Sequence, residues 1–421
     1  MFRKSFYTFF NRFFIAILNF LTIVITARYL GAEGRGIISL FVLNLTIIFM
    51  IGSFIGGPGL VYLIPRHDAS QLLNASYLWT IFSSVAVSLL LYVFKLVQQD
   101  FLIHLILLSI IQSVVRIQTF YLLARERIKA YNFISVIYPA VVFILLCYFF
   151  TIEKNATINE YFIAFYSGSI VTMIISSILV YKNLSLTFSF EMKDIFSYAL
   201  RMGFVIQCAN ILQLLNYRFS FFLLDHYSGK HDVGIYSTAG SIAESVLIIA
   251  NSFAVIQYSQ ISNSKNDEEN SQLTIRITKI VLLLTFIATI ILLLLPQEIF
   301  TIMFGSEFKE LKNLIPYLAP GILLFIFSIT ISHYYSGSGN PKMGLLGSAV
   351  GFLITLIAGL TLIPQYNLKG AALTATLSYV TTSLVLIIVF MKQKKISLFD
   401  FIPDRESLQF LKTKGFDGNK N

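Results

Sequence analysis

The sequence predicts an all-α polytopic membrane protein, and three observations carry that reading. Apolar runs near the ~20 residues a helix needs to cross a bilayer recur from end to end. Hydrophobic residues make up 56% of the chain and charged residues 12%, against about 25% charged in a soluble domain. Glycine, proline and polar clusters punctuate the runs, whereas a membrane barrel would show ~10-residue alternating strands.

The first element opens on a basic, aromatic stretch, Met1–Arg12. No small-x-small cleavage site follows its apolar run, so it reads as an uncleaved first helix and not a signal peptide. Twelve helices are expected, at 9–28, 37–63, 72–94, 101–123, 131–151, 161–181, 199–224, 235–258, 277–295, 315–336, 342–363 and 370–391. They group into an N-terminal six-helix bundle (1–190) and a C-terminal one (191–392). A polar tail (393–421) follows, with a short surface helix near Phe399–Leu411.

Between the first two helices lies a glycine-rich hinge around Gly31, Gly34 and Gly36, where the backbone turns without a Cβ penalty. Arg28, Glu33 and Arg35 are costly in hydrocarbon and place this hinge at a membrane–water boundary. Tyr29, Gly31, Gly36, Ile37 and Ser39 align without a gap to Tyr227, Gly229, Gly234, Ile235 and Ser237, between helices seven and eight. The turn Arg125–Ala130, between helices four and five, has a counterpart at Gly339–Gly344. Repeats six helices apart keep the same orientation. The predicted architecture is therefore two bundles related by a parallel pseudo-two-fold axis around a central cavity, where transporters of this plan bind cargo.

Charge supports the topology. Most Lys and Arg fall in segments on the side of both termini: Arg3, Lys4 and Arg12, Arg66, Arg125, Arg127 and Lys129, Lys182, Lys193 and Arg201, Lys265, Arg276 and Lys279, Lys342 and the lysine-rich tail. Both termini are then cytoplasmic. The net charge of +10 follows from this bias, and nucleic acid is not an expected partner. Cys147 and Cys208 lie in apolar runs, which speaks against a disulfide framework. No Cys/His metal spacing and no GxxxxGK[ST] loop occurs, and no soluble segment is long enough for a nucleotide-binding domain.

The candidate binding residues are polar groups inside spans. Arg116 sits deep in helix four, where an arginine costs about 2.5–3.5 kcal/mol, on one face with Ser109, Gln112 and Thr119. It reads either as a cavity residue or as a structural arginine bonded to carbonyls. Arg218 lies in helix seven near Asn210, Gln213, Tyr217 and Ser220, and Glu244 in helix eight near Ser237, Ser241 and Asn251. At ~1.5 Å rise per residue Arg218 and Glu244 reach similar depths, so an ion pair is feasible. That pair is either a structural clamp or a site where Glu244 takes a proton or cation and couples a gradient to transport. The stripe Arg12, Asn19, Thr22 and Thr26 in helix one reads as self-bonded hydroxyls. Gly52, Gly56, Gly57, Pro58 and Gly59 interrupt helix two, and Pro316, Pro320 and Gly321 are expected to do the same in helix ten. Gly344, Gly347 and Gly351 form a packing face on helix eleven. Glu298, Glu307 and Glu310, in the loop before helix ten, read as solvated charge.

Arg28-Tyr29-Leu30-Gly31-Ala32-Glu33-Gly34-Arg35-Gly36 resembles the "R-x-LG-x-EGRG" signature of polysaccharide-biosynthesis exporters. These are the O-antigen-type lipid-linked oligosaccharide flippases of the multidrug/oligosaccharidyl-lipid/polysaccharide exporter superfamily. Val233-Gly234-Ile235-Tyr236-Ser237-Thr238-Ala239, Ser338-Gly339-Asn340-Pro341 and Leu368-Lys369-Gly370-Ala371-Ala372 resemble their later segments. The resemblance spans roughly residues 5–392. It implies a flippase, not an enzyme, that moves an isoprenyl-diphosphate-linked oligosaccharide from the inner to the outer leaflet of a bacterial cytoplasmic membrane by alternating access. It implies no cofactor beyond a proton or sodium gradient, a monomer, and polymerase or assembly partners. Arg116 and Arg218 would bind the diphosphate, with Arg28 and Arg35 at the outer mouth. Members often carry an acidic residue where this chain has Tyr217, which leaves coupling to Glu244 or Asp225. The rival readings are a multidrug exporter on the same fold and a membrane polymerase or glycosyltransferase, the latter disfavoured by short outer loops.

Overall fold

The computed structural model describes residues 2–402 except Pro58, Arg66, Asn183, 185–192, Lys265 and Pro341. The expected roles of Pro58, Arg66, Lys265, Pro341 and the tail beyond Ile402 lie outside these residues, as do the side chains of Lys193 and Arg201. Among the described residues the chain is helical without strands, in twelve segments of membrane-spanning length. They are α1 (2–30), α2 (32–56), α3 (Ala69–Val93), α4 (Gln99–Ala124), α5 (Ile128–Cys147) and α6 (Ile158–Tyr181), then α7 (Lys193–Tyr227), α8 (230–263), α9 (Asp267–Leu294), α10 (Leu311–Gly337), α11 (342–366) and α12 (368–394). Each coincides with one predicted span. α8 is bent by 47° between Lys230–Ser245 and Leu247–Ser262. Internal contacts divide the chain into one unit of Met1–Ile211 with Met303–Glu307 and another of Leu212–Ile302 with Phe308 onward.

The repeat is written in the backbone. Gly31 (φ 68°, ψ −174°) separates α1 from α2, and its aligned partner Gly229 (φ 86°, ψ 177°) precedes α8. Both sit in a region of φ/ψ space that is essentially glycine-only, which explains why the two motifs share a glycine there. The two turns at Arg125–Ala130 and Gly339–Gly344 each contain one residue at positive φ, Glu126 at 54° and Gly339 at 81°.

Side chains hold the helices together where lipid supplies no hydrophobic drive between them. In the first unit α4 and α6 run side by side through three polar pairs. Gln112 Nε2 donates to Ser169 Oγ (3.1 Å), Gln118 bridges Ser176 and Ser177, and His104 Nδ1 lies 3.1 Å from the Tyr166 hydroxyl. In the second unit buried Asn216 ties three helices. Its Nδ2 donates to the Ser348 carbonyl (3.0 Å), and its Oδ1 accepts from Thr355 and Ser378 (both 3.3 Å). The predicted packing face of α11 is real: a Cβ at Gly351 would lie 2.1 Å from Thr382 Oγ1 and 2.9 Å from Asn216 Nδ2.

Two expectations need correction. α10 is continuous through Pro316 and Pro320, because neighbours accommodate them. Thr376 donates its hydroxyl to the Tyr317 carbonyl, and Gly321 admits α12 so closely that a Cβ would stand 2.7 Å from Thr376 Cα. Of these two helices α2 does break, at Gly56–Gly57, before a short turn of helix at Gly59–Leu63; Trp79 Nε1 donates to the Ile51 carbonyl beside this break (3.1 Å). Glu307 is not merely solvated charge. The Met303–Glu307 segment packs with the first unit, and Glu307 Oε2 accepts the Ala32 N–H at 2.7 Å, capping the start of α2. Of the helix expected near Phe399–Leu411, the described residues include only its start, a 3-10 turn at Leu398–Phe401, and the rest lies outside them.

A Cβ at Gly31 would lie 2.9 and 3.2 Å from the two Glu307 carboxylate oxygens, whereas nothing lies within 4 Å of a Cβ at Gly229. Both glycine-to-alanine substitutions should cost about 1–3 kcal/mol in backbone strain. Gly31→Ala should cost more, because it also displaces the cap. Thermal unfolding in detergent compares them, and an equal or smaller loss at Gly31 would contradict the capping role.

Candidate functional site

α7 and α8 bring together the best-defined polar site of the second unit. Arg218 and Glu244 are joined side by side, Nη1 to Oε1 at 2.9 Å and Nη2 to Oε2 at 2.6 Å. The sequence allowed this pair, and the structure makes it. The planar guanidinium matches a carboxylate in this two-bond geometry, which a lysine cannot reproduce. Only 25% and 22% of the two side chains remain exposed. Aromatic rings enclose them. The Tyr379 hydroxyl donates to Glu244 Oε1 (3.1 Å), the Arg218 guanidinium lies 5.3 Å from the Phe221 ring centroid, and Tyr217 meets Tyr379 (5.5 Å) and Phe325 (5.7 Å) edge-on. Gly240 faces the pair without a side chain of its own, its Cβ position 3.9 Å from Arg218 Nη1.

The first unit presents a different situation. Arg116 is exposed along α4, with its guanidinium 5.0 Å from the Phe49 ring centroid on α2. Among the described residues no carboxylate pairs with it. The polar face predicted around it is largely spent on packing: Ser109 and Thr119 donate to carbonyls of their own helix, and Gln112 is held by Ser169. Thr22 and Thr26 on α1 likewise bond back to Leu18 and Thr22 carbonyls.

The remaining candidates are scattered. Gln213 accepts the Ser348 hydroxyl at 2.9 Å and leaves its Nε2 buried without a bond. Asn210 is exposed and donates to Gln207 Oε1 at 3.3 Å. Asp225 is half-buried at the far end of α7, within electrostatic reach of Lys230 and His226. Arg28 is exposed and Arg35 half-buried, on either side of the Gly31 break. No group of metal-binding side chains occurs among the described residues, and Cys147 and Cys208 are free. Sequence reasoning missed Tyr379, the third member of the ionic cluster. A hydroxyl on α12 aligned in depth with Glu244 was its only signal.

Long apolar helices with ionic groups inside their spans define a multi-pass membrane protein. The MatE family model matches residues 206–361. The capsular polysaccharide biosynthesis protein CapF of Staphylococcus aureus is 26% identical over 191 residues, 45% of this chain and 47% of that protein. The chain thus aligns with about half the length of that relative. The probable low-salt glycan biosynthesis flippase Agl15 of Haloferax volcanii is 21% identical over 399 residues, covering 91% of this chain and 82% of that protein. Among solved structures, the lipid II flippase MurJ in an inward closed conformation superposes with a TM-score of 0.75 at 18% identity, covering 98% of this chain and 93% of that one. An inward-facing multidrug resistance MATE transporter superposes with a TM-score of 0.74 at 13% identity, covering 90% and 94%. The chain is thus similar in sequence to polysaccharide-biosynthesis proteins and part of it to the MatE family, and it shares the fold of MATE transporters and of MurJ. The solved structures that share this fold are a multidrug transporter and a lipid flippase.

Proposed function

We propose that this protein is a flippase for an isoprenyl-diphosphate-linked oligosaccharide in cell-surface polysaccharide biosynthesis, of O-antigen or capsule type. It carries the head group from the inner to the outer leaflet of a bacterial cytoplasmic membrane by alternating access, as a monomer with both termini inside, and hands it to polymerase or assembly partners. The observation that carries this reading is Arg116, an arginine exposed within a span and without an acidic partner among the described residues. An uncompensated cation there is expensive, and a diphosphate is the ligand whose oxygens fit its forked donors. The names of CapF and Agl15 agree with a glycan cargo. A cationic drug would need a free carboxylate, and Glu244 is already held by Arg218.

Glu244 and Asp225 are the candidates for coupling to a proton or sodium gradient. In Glu244 that role requires the bond to Arg218 to open during the cycle, which Arg218 can compensate by turning to the diphosphate. Arg28 and Arg35 would meet the cargo at the outer mouth. Complementation of a cell lacking its own flippase tests the proposal. Surface polysaccharide should return on expression of this chain. No rescue, together with increased efflux of a cationic dye, would instead identify a multidrug exporter.

A further inference from the structure

We propose that residues 392–402 form an interfacial foot that binds the headgroup layer of a bilayer containing anionic lipids. The segment is built rigidly. α12 ends at Lys394, and Lys395 turns the chain with φ 53°. Ser397 and Asp400 then cap each other: the Phe399 N–H donates to Ser397 Oγ (3.3 Å) and the Ser397 N–H to Asp400 Oδ2 (2.7 Å). Phe401 is buried against the second unit, its ring 5.3 Å from Phe327 and 6.3 Å from Phe390. Lys394 pairs with Asp267, which also accepts the Tyr334 hydroxyl. The foot is therefore pinned to α9, α10 and α12.

With Phe401 turned inward, the turn directs its other apolar side chains outward: Leu398 is 57% exposed, Phe399 79% and Ile402 56%. Water is a poor partner for such a patch on a segment this well ordered, and lipid is the partner in place. Leu377, Leu384 and Ile388 are exposed along one stripe of α12, which the membrane must cover. Phe399 lies five residues beyond the end of that helix, a reach of at most about 18 Å. An aromatic side chain there falls in the interfacial zone where such rings are enriched. Lys392 and Lys395 are exposed beside it, and lysines next to a span are attracted to anionic headgroups. Apolar side chains and lysines on one capped turn together match a lipid surface better than a soluble protein.

This proposal is independent of the cargo and can fail without affecting the flippase reading. Trp79 is the chain's one tryptophan, so Phe399→Trp in a Trp79→Phe background gives a unique reporter. The full-length protein is reconstituted in phosphatidylglycerol/phosphatidylethanolamine vesicles with bromine at defined acyl positions. Emission should be blue-shifted and quenched most by bromines nearest the headgroups, and Lys392→Gln/Lys395→Gln should weaken quenching in anionic vesicles. A water-like emission insensitive to every brominated lipid would overturn the proposal and leave the patch to a soluble partner. A nitroxide at Phe399→Cys, in a Cys147→Ser/Cys208→Ser chain, asks the same question with Trp79 intact. There, accessibility to oxygen above that to a water-soluble nickel complex supports the foot, and the reverse rejects it.

Discussion

Glu244→Ala should destabilise the protein by roughly 2–3 kcal/mol, the largest stability loss expected from one side chain in the second unit. Breaking a buried ion pair on one side costs about 3–5 kcal/mol, because the surviving charge stays without compensation. The lower figure applies here because about a quarter of each side chain, 25% and 22%, remains open. Arg218 would be left beside the Phe221 ring without its carboxylate partner. Arg218→Ala should do similar harm by stranding Glu244, with only the Tyr379 hydroxyl to serve it. Removing both charges should behave differently. Arg218→Leu/Glu244→Leu replaces the pair by apolar contacts and should recover most of the stability. The midpoint of thermal aggregation in detergent, measured for both singles and the double, gives the coupling. Transport then separates the two roles left open by the sequence. If the pair is only a clamp, the stable double variant still exports glycan. If Arg218 and Glu244 handle cargo and coupling ion, the double variant is folded, reaches the membrane and exports nothing.

What could be read beforehand follows from the range of the interactions. The twelve spans, the hinge at Gly31 and its counterpart at Gly229 are local features, set by hydropathy and by a backbone conformation only glycine takes easily. The Arg218–Glu244 pair was accessible because both residues lie on consecutive helices, where helical rise fixes relative depth. Tyr379 is 135 residues from Glu244, and Glu307 is 275 residues from the amide it caps. At that separation no periodicity reports a contact, so an acidic loop residue looked like ordinary surface charge. The prolines of α10 misled for a related reason. Their effect depends on the neighbour that fills the gap, and Thr376 and Gly321 are not adjacent in sequence to reveal it. The polar face around Arg116 was found correctly as a face, but its members divide: Gln112 serves packing against Ser169, and the arginine alone stays open.

That division leads to the second large effect. Arg116→Ala should leave the fold intact and remove most transport. No carboxylate depends on this guanidinium among the described residues, so its loss strands no charge; the Phe49 contact is worth only about 0.5–1 kcal/mol at an exposed position. Insertion of α4 should become easier, by up to the ~2.5–3.5 kcal/mol that a central arginine costs. A residue kept at that expense with no ion-pair partner among the described residues fits the cargo role proposed above. Each hydrogen bond to a charged group contributes about 1.5–3 kcal/mol, or roughly ten- to hundredfold in binding. A two-bond contact to a diphosphate should therefore lose one such factor in Arg116→Lys, which keeps charge but not the fork, and both in Arg116→Ala. The measurement is surface glycan per unit of membrane-inserted protein in the complemented strain, with thermal stability as the control. Export ranked wild type, Lys, then Ala, at constant stability, assigns Arg116 to the anionic cargo. Full export by Arg116→Ala would remove the central argument for a diphosphate site in the first unit.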